Sequence, residues 1–245
     1  MSVADVAALT LVAALIVTMP VFAIVARGRA MDAEVVARGK TILLGRWVRD
    51  WLMWVIGPFE RGMIRAGVTP TVLNFMGAAF GLVAGIAFAF GALGTAGWLI
   101  MLGGVTDVFD GRIARARGIV STFGAFLDST LDRFSESFTL LGLLVYFAAV
   151  PLLVFATAAA MSGSLLVSYT KARGESLGVL SAGGLMQRAE RLVLLALGAI
   201  VDPFVASRTG WTAGTVLGGV VTVIALGTWG TACYRLYFIG RALRG

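Results

Sequence analysis

A chain of 245 residues that is 59% hydrophobic and 13% charged carries about half the charge of an ordinary soluble domain. It contains no histidine, one cysteine (Cys233) and a net charge of +7. That excludes His-dependent triads, the common zinc and haem sites, an internal disulfide and any thiolate cluster, so acid–base or metal chemistry must rest on carboxylates, Lys, Tyr or hydroxyls.

The first apolar run, Val6 to Ala26, approaches the roughly 20 residues that a bilayer-crossing helix needs. No basic stretch precedes it and Arg27 and Arg29 follow it, so it reads as an uncleaved anchor over 4–26 rather than a signal peptide. Residues 27–70 mix Arg27, Arg29, Arg38, Lys40, Arg46, Arg49, Arg61 and Arg65 with Trp47, Trp51 and Trp54 and with Leu43, Leu44, Val48, Leu52 and Val55. Basic residues interleaved with Trp and aliphatics at helical spacing suggest a helix lying in the membrane interface; an ordinary soluble loop helix is the blander alternative. Six more spans are expected near 72–91, 94–112, 121–147, 149–172, 188–206 and 212–236. The expected fold is therefore all-α: a polytopic membrane helix bundle with a six-helix core, one extra N-terminal span and an interfacial amphipathic helix. Its expected divisions are 1–26 (extra span), 27–70 (cytoplasmic juxtamembrane segment) and 71–245 (six-span core).

Charge sets an orientation. With 27–70 in the cytoplasm and the spans alternating, nineteen of the twenty Lys/Arg fall on the inner side and Arg208 alone lies outside, the asymmetry that the positive-inside rule describes. The basic balance is thus read as contact with an anionic leaflet, with no nucleic-acid partner. In the first core span, Gly77, Gly81 and Gly85 recur every fourth residue, a stripe that lets helix backbones approach, within the bundle rather than as a dimer seam.

The stretch that carries chemistry is Asp107-Val-Phe-Asp110-Gly111-Arg-Ile-Ala114-Arg115, then eight residues, then Gly124-Ala-Phe-Leu-Asp128-Ser-Thr-Leu-Asp132. Asp107 and Asp110 share one helix face, as do Asp128 and Asp132. A short basic turn joins the two helices, so they run antiparallel and all four carboxylates converge near the cytoplasmic surface. Desolvation and mutual repulsion oppose four ionised carboxylates in a membrane bundle, and either protonation or a divalent metal relieves them. An oxygen-only donor set suits Mg²⁺, Mn²⁺ or Ca²⁺. Gly111 leaves a gap for a ligand, Ala114 is small on nearly the same face, and Arg115 offers a planar cation for phosphate. Together these point to a pyrophosphate substrate; salt bridges to Arg112, Arg115, Arg117 and Arg133 are the purely structural alternative.

This pattern, D-x-x-D-G-x-x-A-R followed after eight residues by G-x-x-x-D-x-x-x-D, resembles the signature of the CDP-alcohol phosphotransferases, and every fixed position matches. The resemblance implies a six-helix membrane core with a preceding interfacial helix, commonly dimeric. It implies a CDP-linked lipid donor, usually CDP-diacylglycerol, a polar alcohol acceptor, and CMP and a phospholipid as products. Asp107, Asp110 and Asp128 would be ligands of Mg²⁺ or Mn²⁺. Asp132 would be a fourth ligand or the base that takes the acceptor's hydroxyl proton. Gly111, Ala114, Arg115 and Gly124 would border the cytidine diphosphate. The enzyme would sit in a bacterial inner or plasma membrane with its site facing the cytoplasm. Two departures stand out: Thr71 and Asn74 exchange the residue types common in the family's entry to its first core helix, and the span at 4–26 is additional to the core.

A second stretch, Ser168-Tyr169-Thr-Lys171-Ala-Arg173-Gly-Glu175, with Gln187-Arg188-Ala-Glu190-Arg191 beyond it, flanks the same mouth of the bundle. Lys171, Arg173, Arg188 and Arg191 offer phosphate-binding groups, or plain inward positive charge partnered by Glu175 and Glu190. These runs, with Arg133 after Asp132, resemble the branch of the family that uses inositol phosphate acceptors; glycerol 3-phosphate is the runner-up. From other classes, a metal-ion transporter would set its carboxylates nearer the membrane midplane, and a structural scaffold has no use for all four Asp.

Overall fold

The computed structural model describes residues 17–31, 35–36, 46–180 and 183–244 (the side chain of Arg49 excepted), and all regular elements among them are helices. They are α1 (residues 17–25), α2 (Arg46–Arg65), α3 (Pro70–Ala89), α4 (Leu93–Ala116), α5 (Thr122–Tyr146), α6 (Pro151–Ser176), α7 (Arg188–Thr209) and α8 (Thr215–Ala242). The chain divides after Thr69 into two compact units.

In the first unit, Trp47, Trp51 and Trp54 occupy one face of α2, as their spacing dictates. Phe22 of α1 lies between the rings of Trp47 and Trp54, at centroid distances of 5.6 and 5.7 Å. The indole N–H of Trp51, buried here, donates to Thr18 Oγ1 at 2.9 Å, so its one polar atom is satisfied. Most of the expected span at 4–26 and the part of 27–70 holding Arg38, Lys40, Leu43 and Leu44 lie outside the described residues.

The second unit is the six-helix bundle expected from the sequence. Among the described residues, α3, α6, α7 and α8 are long and apolar enough to cross a membrane. α4 and α5 have the length but each carries four charged residues, Asp107, Asp110, Arg112 and Arg115 on one and Asp128, Asp132, Arg133 and Glu136 on the other. The helices run past the expected apolar limits. α4 reaches Ala116, α6 reaches Ser176 and α8 reaches Ala242, because backbone hydrogen bonding continues where apolar sequence stops. Lys171 and Arg173 are consequently helical. The apolar core fills the middle of the bundle with Phe88, Ile100, Leu143, Leu195, Leu217 and Val221 among others, and leaves the charged ends of α4, α5 and α7 outside it.

The glycine stripe explains how α3 and α5 meet. A Cβ on Gly81 would fall 2.6 Å from the Cα of Ser135, and one on Gly85 would fall 2.9 Å from the carbonyl carbon of Phe138. Ser135 Oγ donates to Gly77 O at 3.3 Å and Thr139 Oγ1 to Gly81 O at 3.2 Å, so hydroxyls of α5 reach carbonyls of α3 across the contact. This close approach holds the middle of α5 against α3. Gly85→Leu is expected to destabilise the protein by about 3 kcal/mol or more, since the obstacle is backbone and the neighbour cannot yield. Gly230→Leu, where an added Cβ meets nothing within 4 Å, is the control. Melting temperatures in detergent that fall equally for both would remove this account.

Candidate active site

The turn between α4 and α5 is built to bring the two halves of the motif together. Gly118 ends α4 at φ +65°, a conformation that side-chain-bearing residues rarely adopt. Its N–H donates to Arg115 O at 3.1 Å and that of Ile119 to Ala114 O at 3.0 Å, which satisfies carbonyls left open by the end of the helix. Ser121 then caps α5, its Oγ accepting from Gly124 N–H at 3.0 Å. Gly124 is thus part of the helix start as well as of the motif.

This turn places one carboxylate oxygen each from Asp107, Asp110 and Asp128 within 4.8 Å of one another. Asp110 is buried and the other two are half-buried. At 4.8 Å an ionised pair repels by about 3.5 kcal/mol at an effective dielectric near 20, and closer pairs repel more. The set is all hard oxygen, converging from two helices, which fits Mg²⁺ or Mn²⁺. Asp132, one turn further along α5, stands apart from this trio. It pairs with Arg188, the first residue of α7, whose Nη2 lies 2.6 Å from Asp132 Oδ1 while Nη1 lies 3.0 Å from Asp107 Oδ1. Arg188 therefore spans the two halves of the motif from a third helix, and its Nε is buried without a partner.

Gly111 faces Arg115. A Cβ there would come within 3.2 Å of an Arg115 guanidinium nitrogen, so the glycine leaves the guanidinium room to lie along the helix. Ala114 is half-buried beside it. Arg133 donates to the Ser129 carbonyl one turn back on its own helix.

The four basic residues expected to flank the mouth separate. Lys171 and Arg173 are exposed near the end of α6, with Lys171 3.8 Å from Glu175. Arg188 joins the acidic residues. Arg191, also expected as a phosphate-binding group, is 3% exposed, and each of its three guanidinium nitrogens donates a hydrogen bond within the protein. Its Nε and Nη2 donate to the two carboxylate oxygens of Glu136 at 2.6 and 2.8 Å, and Nη1 donates to Met186 O at 3.1 Å. A guanidinium this deep must be paired, and a fork-to-fork carboxylate satisfies it.

Glu136 went unnoticed in the sequence although a signal existed: Asp128, Asp132 and Glu136 run down one face of α5 at steps of four. Arg235 was also missed. It is a charged residue within an apolar span, a placement that ordinarily marks a functional or structural demand.

The family model for CDP-alcohol phosphatidyltransferase matches residues 67–228. The chain belongs to this family. It is accordingly an integral membrane transferase of phosphate-containing groups, and the matched region contains both halves of the acidic motif and Arg188. A phosphatidylinositol phosphate synthase of Mycobacteroides abscessus is 38% identical over 157 residues, 62% of this chain and 71% of its own. One from Streptomyces avermitilis is 37% identical over 178 residues, covering 70% of each chain. The crystal structure of Mycobacterium tuberculosis phosphatidylinositol phosphate synthase with CDP-DAG bound superimposes with a TM-score of 0.66 at 31% identity, over 74% of this chain and 92% of that one. The same enzyme has been solved in complex with manganese and citrate, again with a TM-score of 0.66.

Proposed function

We propose that the protein transfers the phosphatidyl group of CDP-diacylglycerol to a hydroxyl of an inositol phosphate, releasing CMP, at a site facing the cytoplasm of a bacterial plasma membrane. The observation that carries this reading is the convergence of Asp107, Asp110 and Asp128 with Arg188 laid across to Asp132. Support for the acceptor comes from relatives that are phosphatidylinositol phosphate synthases and from the basic residues at the ends of α6 and α7. Support for the orientation is the inward bias of Lys and Arg, with 27–70 as a juxtamembrane segment on the same side. Family membership favours group transfer over ion transport as the use of the carboxylates.

Asp107, Asp110 and Asp128 would hold Mg²⁺ or Mn²⁺, which when bound offsets the charge of the diphosphate and of the departing CMP. Gly111, Ala114 and Gly124 leave room for the nucleotide, and Arg115 presents a guanidinium to its phosphates. Asp132 takes the proton of the acceptor hydroxyl as that oxygen bonds to the lipid-side phosphorus and the bond to CMP breaks. Arg188, with Lys171 and Arg173 at the same end of the bundle, draws the acceptor's own phosphate toward Asp132. Positioning and charge neutralisation carry most of such a reaction, so histidine is not required.

The test is an acceptor panel. Purified protein with CDP-diacylglycerol and Mg²⁺ is given inositol 1-phosphate, glycerol 3-phosphate, inositol or serine. CMP release and a phosphorylated phosphatidylinositol are expected with inositol 1-phosphate. Turnover with glycerol 3-phosphate alone, or with an unphosphorylated alcohol, overturns the acceptor assignment.

A further inference from the structure

Helices α3, α4, α5 and α7 border a small cavity beside Arg188. Gly81, Gly103 and Gly104 line it, together with Ser135, Thr139 and Arg188 itself. It has room for about one water molecule. The space exists because glycines stand in its wall; an added Cβ on Gly104 would meet nothing within 4 Å. The polar groups around it do not match one another. Arg188 can only donate. Its Nη1 and Nη2 are engaged by Asp107 and Asp132 at 3.0 and 2.6 Å, while its Nε is buried and donates to nothing in the protein. Leaving a buried donor unpaired is costly. The hydroxyls are the reverse case. Ser135 gives its hydrogen to Gly77 O at 3.3 Å, and Thr139 shares its hydrogen between Gly81 O at 3.2 Å and Ser135 O at 2.8 Å. Each keeps oxygen lone pairs and has no second hydrogen to give.

The class of ligand follows from this inventory. It must accept from a guanidinium N–H, donate to hydroxyl oxygens and be no larger than water. A metal ion is repelled by the guanidinium. A phosphate or carboxylate is too large and would meet only lone pairs on the hydroxyl wall. We propose that the cavity binds a structural water, which accepts from Arg188 Nε–H and donates to Ser135 Oγ and Thr139 Oγ1. About three hydrogen bonds is the usual complement of a buried water. With its third nitrogen also engaged, the planar guanidinium cannot swivel, and its other two nitrogens stay aimed at Asp107 and Asp132. Ser135 and Thr139 are then positioning residues that act through the water and touch no substrate. The kinetic consequence of this inference rests on the reading above in which Arg188 serves the phosphorylated acceptor; the water site itself does not.

A structure of the purified protein at a resolution that shows ordered water is expected to place one within hydrogen-bond distance of Arg188 Nε, Ser135 Oγ and Thr139 Oγ1. A dry cavity, or Arg188 Nε bonded directly to a protein oxygen, overturns the proposal whatever the acceptor proves to be. Kinetics test the positioning role. Ser135→Ala combined with Thr139→Val removes both oxygens; it raises the KM for inositol 1-phosphate about tenfold and leaves the KM for CDP-diacylglycerol within about twofold of the parent. Ser135→Ala alone, with Thr139 still holding the water, raises the acceptor KM about threefold. Thr139→Ser keeps the hydroxyl and leaves both KM values unchanged. Arg188→Gln raises the acceptor KM on its own, and adding Ser135→Ala to it causes no further rise, because the group being positioned is gone. Should the Ser135–Thr139 double variant fail to fold, Ser135→Ala and Thr139→Ser carry the same comparison. Purely structural hydroxyls would lower the melting temperature while leaving both KM values unchanged or shifting them equally, and either result overturns the positioning role, as do additive effects with Arg188→Gln. If Arg188→Gln leaves the acceptor KM unchanged, the acceptor role of Arg188 fails, and the water site stands or falls on the structure alone.

Discussion

Asp110→Asn is expected to lower CMP release from CDP-diacylglycerol by about 10³-fold while the protein remains folded. Asp110 is the most buried of the three carboxylates whose oxygens lie within 4.8 Å of one another. An amide keeps its shape but forfeits the charge that a dication needs. Losing a metal ligand in phosphoryl transfer removes several kcal/mol of charge stabilisation, and about 4 kcal/mol corresponds to about three powers of ten in rate. Stability should move the other way. Removing one of three mutually repelling charges relieves the site, so the variant in chelator melts no lower than the parent protein. The parent is expected to melt higher on addition of Mg²⁺ or Mn²⁺, as binding to the folded state requires, and the variant is not. Chelation should silence the parent reversibly. Measured turnover within tenfold of the parent, together with an unchanged metal-induced shift in melting temperature, would falsify the metal assignment.

The second large effect concerns stability. Glu136→Leu alone is expected to destabilise the protein by about 3–5 kcal/mol, since it strands the Arg191 guanidinium in the bundle. Arg191→Met alone should do similar damage by stranding Glu136. Combining Glu136→Leu with Arg191→Met should restore much of the loss, because an apolar pair of similar bulk needs no hydration to be replaced. Thermal melts of the four proteins in one detergent read the coupling directly. If Arg191 served the acceptor phosphate instead, the double variant would melt near the parent yet lose its affinity for inositol 1-phosphate. Independent, additive losses of stability would show that the two bonds at 2.6 and 2.8 Å contribute little.

Particular residues show what could be read early. Four of the core helices, α3, α6, α7 and α8, follow from apolar runs of bilayer length, which is a local property of the chain. The shared face of Asp107 and Asp110, and that of Asp128 and Asp132, follows from a step of three or four residues. The turn at Gly118 forces the two faces together. That α3 packs closely within the bundle was legible in Gly77, Gly81 and Gly85, because a missing Cβ is visible in sequence; that Gly81 and Gly85 meet α5 while Gly77 faces α4 came from the tertiary structure. In each case the physics acts over a few residues.

The basic residues of α7 were a different matter. Arg188 and Arg191 lie three apart in one short run and look alike as letters. Sequence by itself determined that both sit at the bundle's charged end; only the tertiary structure decided that one bridges Asp107 and Asp132 while the other is buried against Glu136. The same holds for Arg235, whose partners Val167 and Gly183 lie 68 and 52 residues away. Whether a charge is free or spoken for depends on what another helix brings to it across the bundle, and a buried ion pair is stable only where that partner arrives in register.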